Sequence, residues 1–286
     1  MNNATRPKQH HYVPRFYLER FVDHDGHVWT FDKFTRKVFA TSPSKLAREN
    51  GFYEAPALGT EIDQTAMEGM LSKLEGEASP IIARWLDTLE ECPPGTVVIE
   101  DGDRGVMSQY VATQAFRTSE ERILLEQGLG NALENTDLQT LHVAMLGDGV
   151  IQEAATTILD FVWILARNDS GQPFYTSDHP VVLRTHNHRC LHFVQFPQPG
   201  TEVLFPLSSA GMFYAYEREH WHKLAAFDGQ VSSVRFTPQL VESDNHAQVG
   251  HSRRFVFCYR DEFAFARSFC AAHPELRDEG RERFQQ

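Results

Sequence analysis

Phe161-Val-Trp-Ile-Leu-Ala-Arg167, then Asn168-Asp169-Ser170-Gly171, then Gln172-Pro-Phe-Tyr-Thr-Ser177 and Asp178-His179-Pro180, is where the chain changes its hydrophobic period. The flanking runs are apolar and β-rich, and the four residues between them favour turns and tolerate positive φ, so the spacing predicts a hairpin across 161–177. Working outward toward the C-terminus, short apolar runs predict strands at 181–185, 190–195, 202–206, 211–217, 231–236 and 254–259. Helices are expected at 238–250 and from Asp261 to about Ala272. Toward the N-terminus the period becomes helical. One or two helices are expected over Ala132–Leu159, one over Arg104–Gly128, and one over Glu61–Leu89 that Pro80 kinks or divides. Thr96-Val97-Val98-Ile99 reads as a short strand or an extended lead. Further back, His27 to Ala40 alternates apolar and polar residues around a polar turn, which predicts a β-hairpin. The fold class is therefore α+β, with a helical middle section packed against a mostly antiparallel β-sheet and a small N-terminal β-hairpin. A single domain is expected over 1–277, and the charged tail 278–286 is expected to fray.

At 286 residues, with 41% hydrophobic and 23% charged residues, the chain is long enough to bury a core without staples. No run approaches the roughly 18 apolar residues of a membrane span, and Met1 to Lys8 lacks the apolar centre of a secretory signal, so a cytoplasmic protein is expected. Cys92, Cys190, Cys258 and Cys270 have no C-x-x-C spacing and read as reduced thiols. A net charge of −12 argues against wholesale binding to a polyanion. Arg6, Lys8, Arg15 and Arg20 nevertheless concentrate positive charge near the start, as either a basic groove or a solvated face.

Three segments could carry chemistry. In His10-His11-Tyr12-Val13-Pro14-Arg15 the proline holds Val13 extended, and an extended His-His pair sends its rings to opposite sides. Either ring is an acid–base candidate, or else a packed, backbone-bonded histidine. Gln114 and Arg117 share a helical stripe with Met107 and Tyr110, so they either aim into a cleft or are buried with partners. Arg117 suits a phosphate or carboxylate, or a structural ion pair. Thr176-Ser177-Asp178-His179-Pro180 is a polar turn after a strand. Asp178 there either caps backbone amides or orients a histidine, binds a cation or pairs with Arg117. The run His186, His188 and His192 suggests a metal cluster, but no carboxylate or cysteine stands at matching spacing. His220-x-His222 is weaker still. Nucleotide-fold, P-loop, zincin and α/β-hydrolase signatures are absent.

His10-His11-Tyr12-Val13-Pro14-Arg15-Phe16-Tyr17-Leu18 and the following Asp-Gly-x-x-Trp-x-Phe-Asp-Lys resemble the opening of the uncharacterised bacterial family DUF4238. The likeness continues through Phe52-Tyr53, Gln114-x-x-Arg117-Thr118, Pro173 to Pro180 and Phe205-Pro206-Leu207-Ser208. The chain departs from the family pattern at His179, where relatives often have Asn. The resemblance implies that these separated segments converge, and it carries no activity.

Catalytic candidates are therefore His10, His11 and Asp178. Substrate-binding candidates are Arg15, Tyr53, Gln114, Arg117, Thr176 and Ser177, and no metal ligand is assigned. The leading expectation is a hydrolase acting on a phosphate-containing substrate, nucleic acid or nucleotide, in which histidine serves as acid or base, Asp178 orients it, and Arg117 with Gln114 holds the anion. The alternative is a non-catalytic ligand-binding or protein-interaction module tied by a buried polar network. No cofactor is expected, a divalent metal is allowed, the partners considered are a small molecule or a nucleic acid and not a membrane, and the oligomeric state is open.

Overall fold

The protein is described by a computed structural model covering residues 9–54, 64–129, 137–147 and 149–283. The expected helix starts at Glu61 and Ala132, and the basic residues Arg6 and Lys8, lie outside the described residues.

After the one-turn helix α1 (Arg15–Leu18), helix α2 (Gln64–Glu91) runs through Pro80 without dividing. A mid-helix proline costs about 3 kcal/mol. Beyond it, Ile82, Trp85 and Leu89 are all buried, and each such side chain returns about 1.5–3 kcal/mol. Packing therefore outweighs the local penalty. The single helix expected over 104–128 is two, α3 (Asp101–Phe116) and α4 (Ser119–Leu129). Arg117 leaves helical geometry at ψ 21°, and the Thr118 hydroxyl accepts from the Glu121 amide to start the next helix. Helices α5 (Leu138–Gly147) and α6 (Gly149–Asp160) complete the helical middle.

Strands β2 (Val28–Asp32) and β3 (Val38–Thr41) form the hairpin expected over 27–40, with Thr30 opposite Phe39. The hairpin does not stand alone. Strand β2 also pairs with β12 (Phe255–Cys258), which in turn pairs with β6 (Thr176–Ser177), giving a four-stranded antiparallel sheet. A second sheet of six strands contains β5 (Val162–Arg167), β7 (Val182–Thr185), β8 (Cys190–Leu191), β9 (Thr201–Pro206), β10 (Gly211–Tyr216) and β11 (Gln230–Val231). Its order is β11-β5-β10-β9-β7-β8, antiparallel except for the β11–β5 pair. A third, two-stranded sheet joins β1 (Gln9–His11) to β4 (Arg48–Asn50).

The hairpin expected over 161–177 does not form. The turn chemistry is present, with the Ser170 amide donating to Asn168 Oδ1 and Gly171 at φ 81°. The pairing differs: β5 bonds to β10 and β11, whereas β6 joins β12 in the other sheet. The reason is burial on both faces. Trp163, Leu165, Val203, Phe205 and Phe213 pack into the main core under the helices, while Ala166, Leu204, Met212 and Tyr214 pack on the opposite face in a cluster with Val241 and Ala247 of helix α7 (Pro238–His251). A strand so covered needs a partner on each edge, which a lone hairpin arm does not supply.

Trp85 of α2 stacks on Phe213 at 5.7 Å, and Trp163 meets the same ring edge-on at 5.0 Å. The helix comes so close that a Cβ on Gly211 would lie 2.7 Å from Leu86 Cδ2. Helix α8 (Ala264–Ala272) closes the far end with Ala266 and Cys270 buried. In the described part of the charged tail, Arg281 and Arg283 carry their guanidinium groups to the buried Glu120. Among the described residues no helix is long and apolar enough to cross a membrane.

Candidate functional site

Strand β1 is only three residues long, and its pairing with β4 sets His10 opposite Glu49. That register buries the His10 ring against Tyr53, with centroids 5.4 Å apart. The Tyr53 amide donates to His10 Nδ1 at 3.3 Å. With Nδ1 accepting, Nε2 is the ring's donor, and it lies 2.6 Å from Glu68 Oε1 on α2. Histidine is the buried member of the pair, its side chain 6% exposed against 31% for the glutamate. Both imidazole nitrogens are thus engaged, and the carboxylate faces the solvent side.

Glu68, Leu71, Ser72 and Glu75 fall on one face of α2 at helical spacing, and with His10, His11, Tyr53 and Arg117 they line a cleft of about 180 Å³. Arg117 enters from the α3–α4 break. Its Nε donates to Gln114 Oε1 at 2.9 Å and its Nη1 to Glu75 Oε1 at 2.8 Å. Gln114 Nε2 in turn donates to the Tyr12 carbonyl, tying the helix to the N-terminal segment. Among the described residues Arg117 Nη2 is buried with no hydrogen-bond partner. Burial alone would lower the affinity of this guanidinium for its proton, but Tyr53, Glu75 and Tyr110 around it raise the pKa above the ordinary value. Burial pushes the Tyr53 phenol up to about 12, so it stays a hydrogen-bond donor, here to the His11 carbonyl at 3.2 Å. Burial, with Arg48 and Arg15 nearby, lowers the His11 pKa and favours the neutral ring.

The other expected positions lie elsewhere. The Asp178 carboxylate accepts from the backbone amides of Arg253, Arg254 and Phe255 at 2.8–2.9 Å and pins the start of β12. It therefore neither orients a histidine nor pairs with Arg117. Burial raises its pKa in spite of those amides. The Thr176 hydroxyl bonds Tyr17 at 2.7 Å, and Ser177 Oγ donates to the His179 carbonyl and to Gln248 Oε1. The first contact joins the N-terminal segment to the sheet, and the others tie the turn to itself and to α7. Arg15 is exposed and pairs with Glu19 one helical turn on. The structure thus brings His10, His11, Tyr53 and Arg117 to one cleft, with Gln114 behind Arg117, and leaves Asp178, Thr176, Ser177 and Arg15 outside it.

The two carboxylates of the cleft, Glu68 and Glu75, were missed from sequence. They sit seven residues apart on the polar side of α2, a spacing visible in the chain but indistinguishable there from a solvated helix face. The histidine run also disperses: His186 stacks on His220 at 4.4 Å, while His192 Nε2 meets the Arg283 carbonyl at 3.1 Å. Among the described residues no group of three or more His, Cys, Asp or Glu side chains could hold a metal ion.

Residues 9–262 match the family model described as "Protein of unknown function (DUF4238)". No curated protein and no solved structure matches the chain.

Proposed function

The chain belongs to the DUF4238 family, and from the geometry of the cleft we propose a hydrolase of phosphate-containing substrates in which Glu68 is the general base. The observation that carries this reading is the His10–Glu68 pair, 2.6 Å apart with the imidazole buried and the carboxylate at the open side. An imidazole held by a backbone amide fixes the carboxylate it touches, as a base needs to be fixed before it can take a proton from water. His10 is then a positioning residue. As Glu68 accepts the proton, the water oxygen bonds to phosphorus, the bond to the leaving oxygen breaks, and that oxygen takes its proton from solvent at the open rim. Arg117 Nη2, a buried donor with no partner among the described residues, is the group on hand for a phosphoryl oxygen.

The cleft volume of about 180 Å³ is below the roughly 300–1,000 Å³ typical of whole small-molecule sites. It suits a phosphoryl headgroup, and the net charge of −12 favours a nucleotide or small ester over a long nucleic acid. Wild-type protein is assayed against nucleotides and phosphodiesters, with and without divalent metals, beside Glu68→Gln and His10→Gln. Turnover by wild type that Glu68→Gln removes supports the reading. Equal activity in all three proteins, or none in any, ends it.

A second reading is favoured by a specific observation: Gln114, Thr176, Ser177 and Asp178 all spend their polar atoms on internal bonds. On that reading the chain is a non-catalytic binding module held together by the network. It predicts phosphate or nucleotide binding at the Arg117 cleft with no turnover.

A further inference from the structure

Glu120 is 5% exposed on the first turn of α4, and its ion pairs among the described residues are with Arg281 and Arg283. Both carboxylate oxygens are used. Arg283 Nε reaches Oε1 at 2.6 Å and its Nη2 reaches Oε2 at 3.1 Å, while Arg281 Nη2 reaches Oε1 at 3.1 Å. Arg281 Nη2 also donates to the Ser252 carbonyl at 3.1 Å. Two turns on along the same face of α4, Gln127 holds the tail by its backbone: its Nε2 donates to the Arg281 carbonyl and its Oε1 accepts from the Arg283 amide, both at 2.9 Å. His192 Nε2 contacts the Arg283 carbonyl at 3.1 Å. Between these clamps Glu282 is exposed. Two guanidinium groups thus point inward and the middle side chain outward, while Arg283 Nη1 also donates back to the Glu279 and Arg281 carbonyls.

The surrounding cavity, about 360 Å³, is bordered on the body side by Glu120, Leu124, His192 and His251. His251 is 7% exposed, and among the described residues its Nε2 has no hydrogen-bond partner. The matched family region ends at residue 262. Glu120, Gln127 and Ser252 thus lie within it, while the tail that occupies them lies beyond.

We propose that this groove is a recognition site for an Arg-x-Arg peptide segment and that residues 281–283 are its resident, displaceable occupant. Gln127 reads the backbone on either side of the middle residue and so places no demand on it. Glu120 reads the arginines. A buried carboxylate presented to paired guanidinium groups selects their planar fork over an ammonium. The partner is a protein carrying an accessible Arg-x-Arg segment, and its binding releases the tail. This inference is independent of the chemistry assigned to the Glu68 cleft.

The probe is the acetylated, amidated hexapeptide Asp-Glu-Gly-Arg-Glu-Arg, fluorescently labelled and titrated into the full chain. The double variant Arg281→Gln with Arg283→Gln, freed of its own occupant, is expected to bind it at least ten-fold tighter than wild type. The Lys-Glu-Lys version should bind at least ten-fold more weakly, and adding Glu120→Gln should abolish binding. No difference between the double variant and wild type, or equal binding of the lysine peptide, overturns the proposal. Should the double variant fail to fold, hydrogen exchange on wild type decides. Excess arginine peptide is expected to speed exchange at residues 281–283, and unchanged protection overturns the proposal.

Discussion

His10 Nε2 lies 2.6 Å from Glu68 Oε1, across the gap between a three-residue strand and a helix whose facing residues are more than fifty positions away in sequence. The buried partner is the imidazole, which makes the carboxylate the chemically available end. On the proposed hydrolase reading, Glu68→Gln is expected to lower kcat by about 10²–10⁴-fold, the usual contribution of a general base. His10→Gln should cost less, because the carboxylate loses its orientation but stays in place. Steady-state kinetics on the two variants separate them. An His10→Gln loss as deep as that of Glu68→Gln would return the base role to the imidazole.

Asp178 holds three consecutive backbone amides, at Arg253, Arg254 and Phe255. Removing a buried acceptor strands its donors at about 1–3 kcal/mol each. Asp178→Ala is therefore expected to lower Tm by on the order of 10 °C while leaving the Glu68 cleft unaltered. A thermal melt and an activity assay on the same sample check this, and a variant that melts normally but has lost activity would restore Asp178 to the site.

Burial raises the Glu121 pKa from the ordinary value to about 8. The folded chain thus holds a proton that the unfolded chain releases near pH 4.5. Its stabilising contribution is complete below pH 4.5 and declines as pH rises toward 8. Between pH 6.5 and 8, wild type should lose about 2 kcal/mol relative to Glu121→Gln, at 1.36 kcal/mol per pH unit. Comparing the two proteins by urea unfolding cancels other groups, including Lys33, whose pKa burial lowers to about 7. Parallel stability profiles would show that Glu121 ionises normally.

A Cβ at Gly211 would meet Leu86 Cδ2 at 2.7 Å and Leu89 Cδ1 at 3.2 Å. Gly211→Ala should therefore destabilise by about 1–3 kcal/mol through overpacking. Adding Leu86→Ala should recover part of that loss, giving a non-additive cycle. Strict additivity would mean that α2 sits farther from the sheet edge.

Much of the fold was legible because it depends on local period and turn chemistry. The hairpin over 27–40, the strands at 182–185, 201–206 and 211–216, and the helices at 238–251 and 264–272 follow from alternation, apolar spacing and capping. The break between α3 and α4 was not seen, because Arg117 and Thr118 are both tolerated inside a helix and only their tertiary partners stop it there. The hairpin over 161–177 failed for the converse reason: its turn is real, but a turn does not name a strand's partner.

By itself, then, the sequence determined the α+β class, most element positions, and the placing of His10, Tyr53 and Arg117 in segments marked by unusual polar residues. Only the tertiary structure decided which of those residues share a cleft. It supplied Glu68 and Glu75 from an ordinary-looking helix face, turned Asp178 into a backbone clasp, and set Arg281 and Arg283 of the charged tail against the buried Glu120. The physical reason is that period and propensity act along the chain, whereas the cost of burying a charge or an amide is settled by whatever group, however distant in sequence, arrives to meet it.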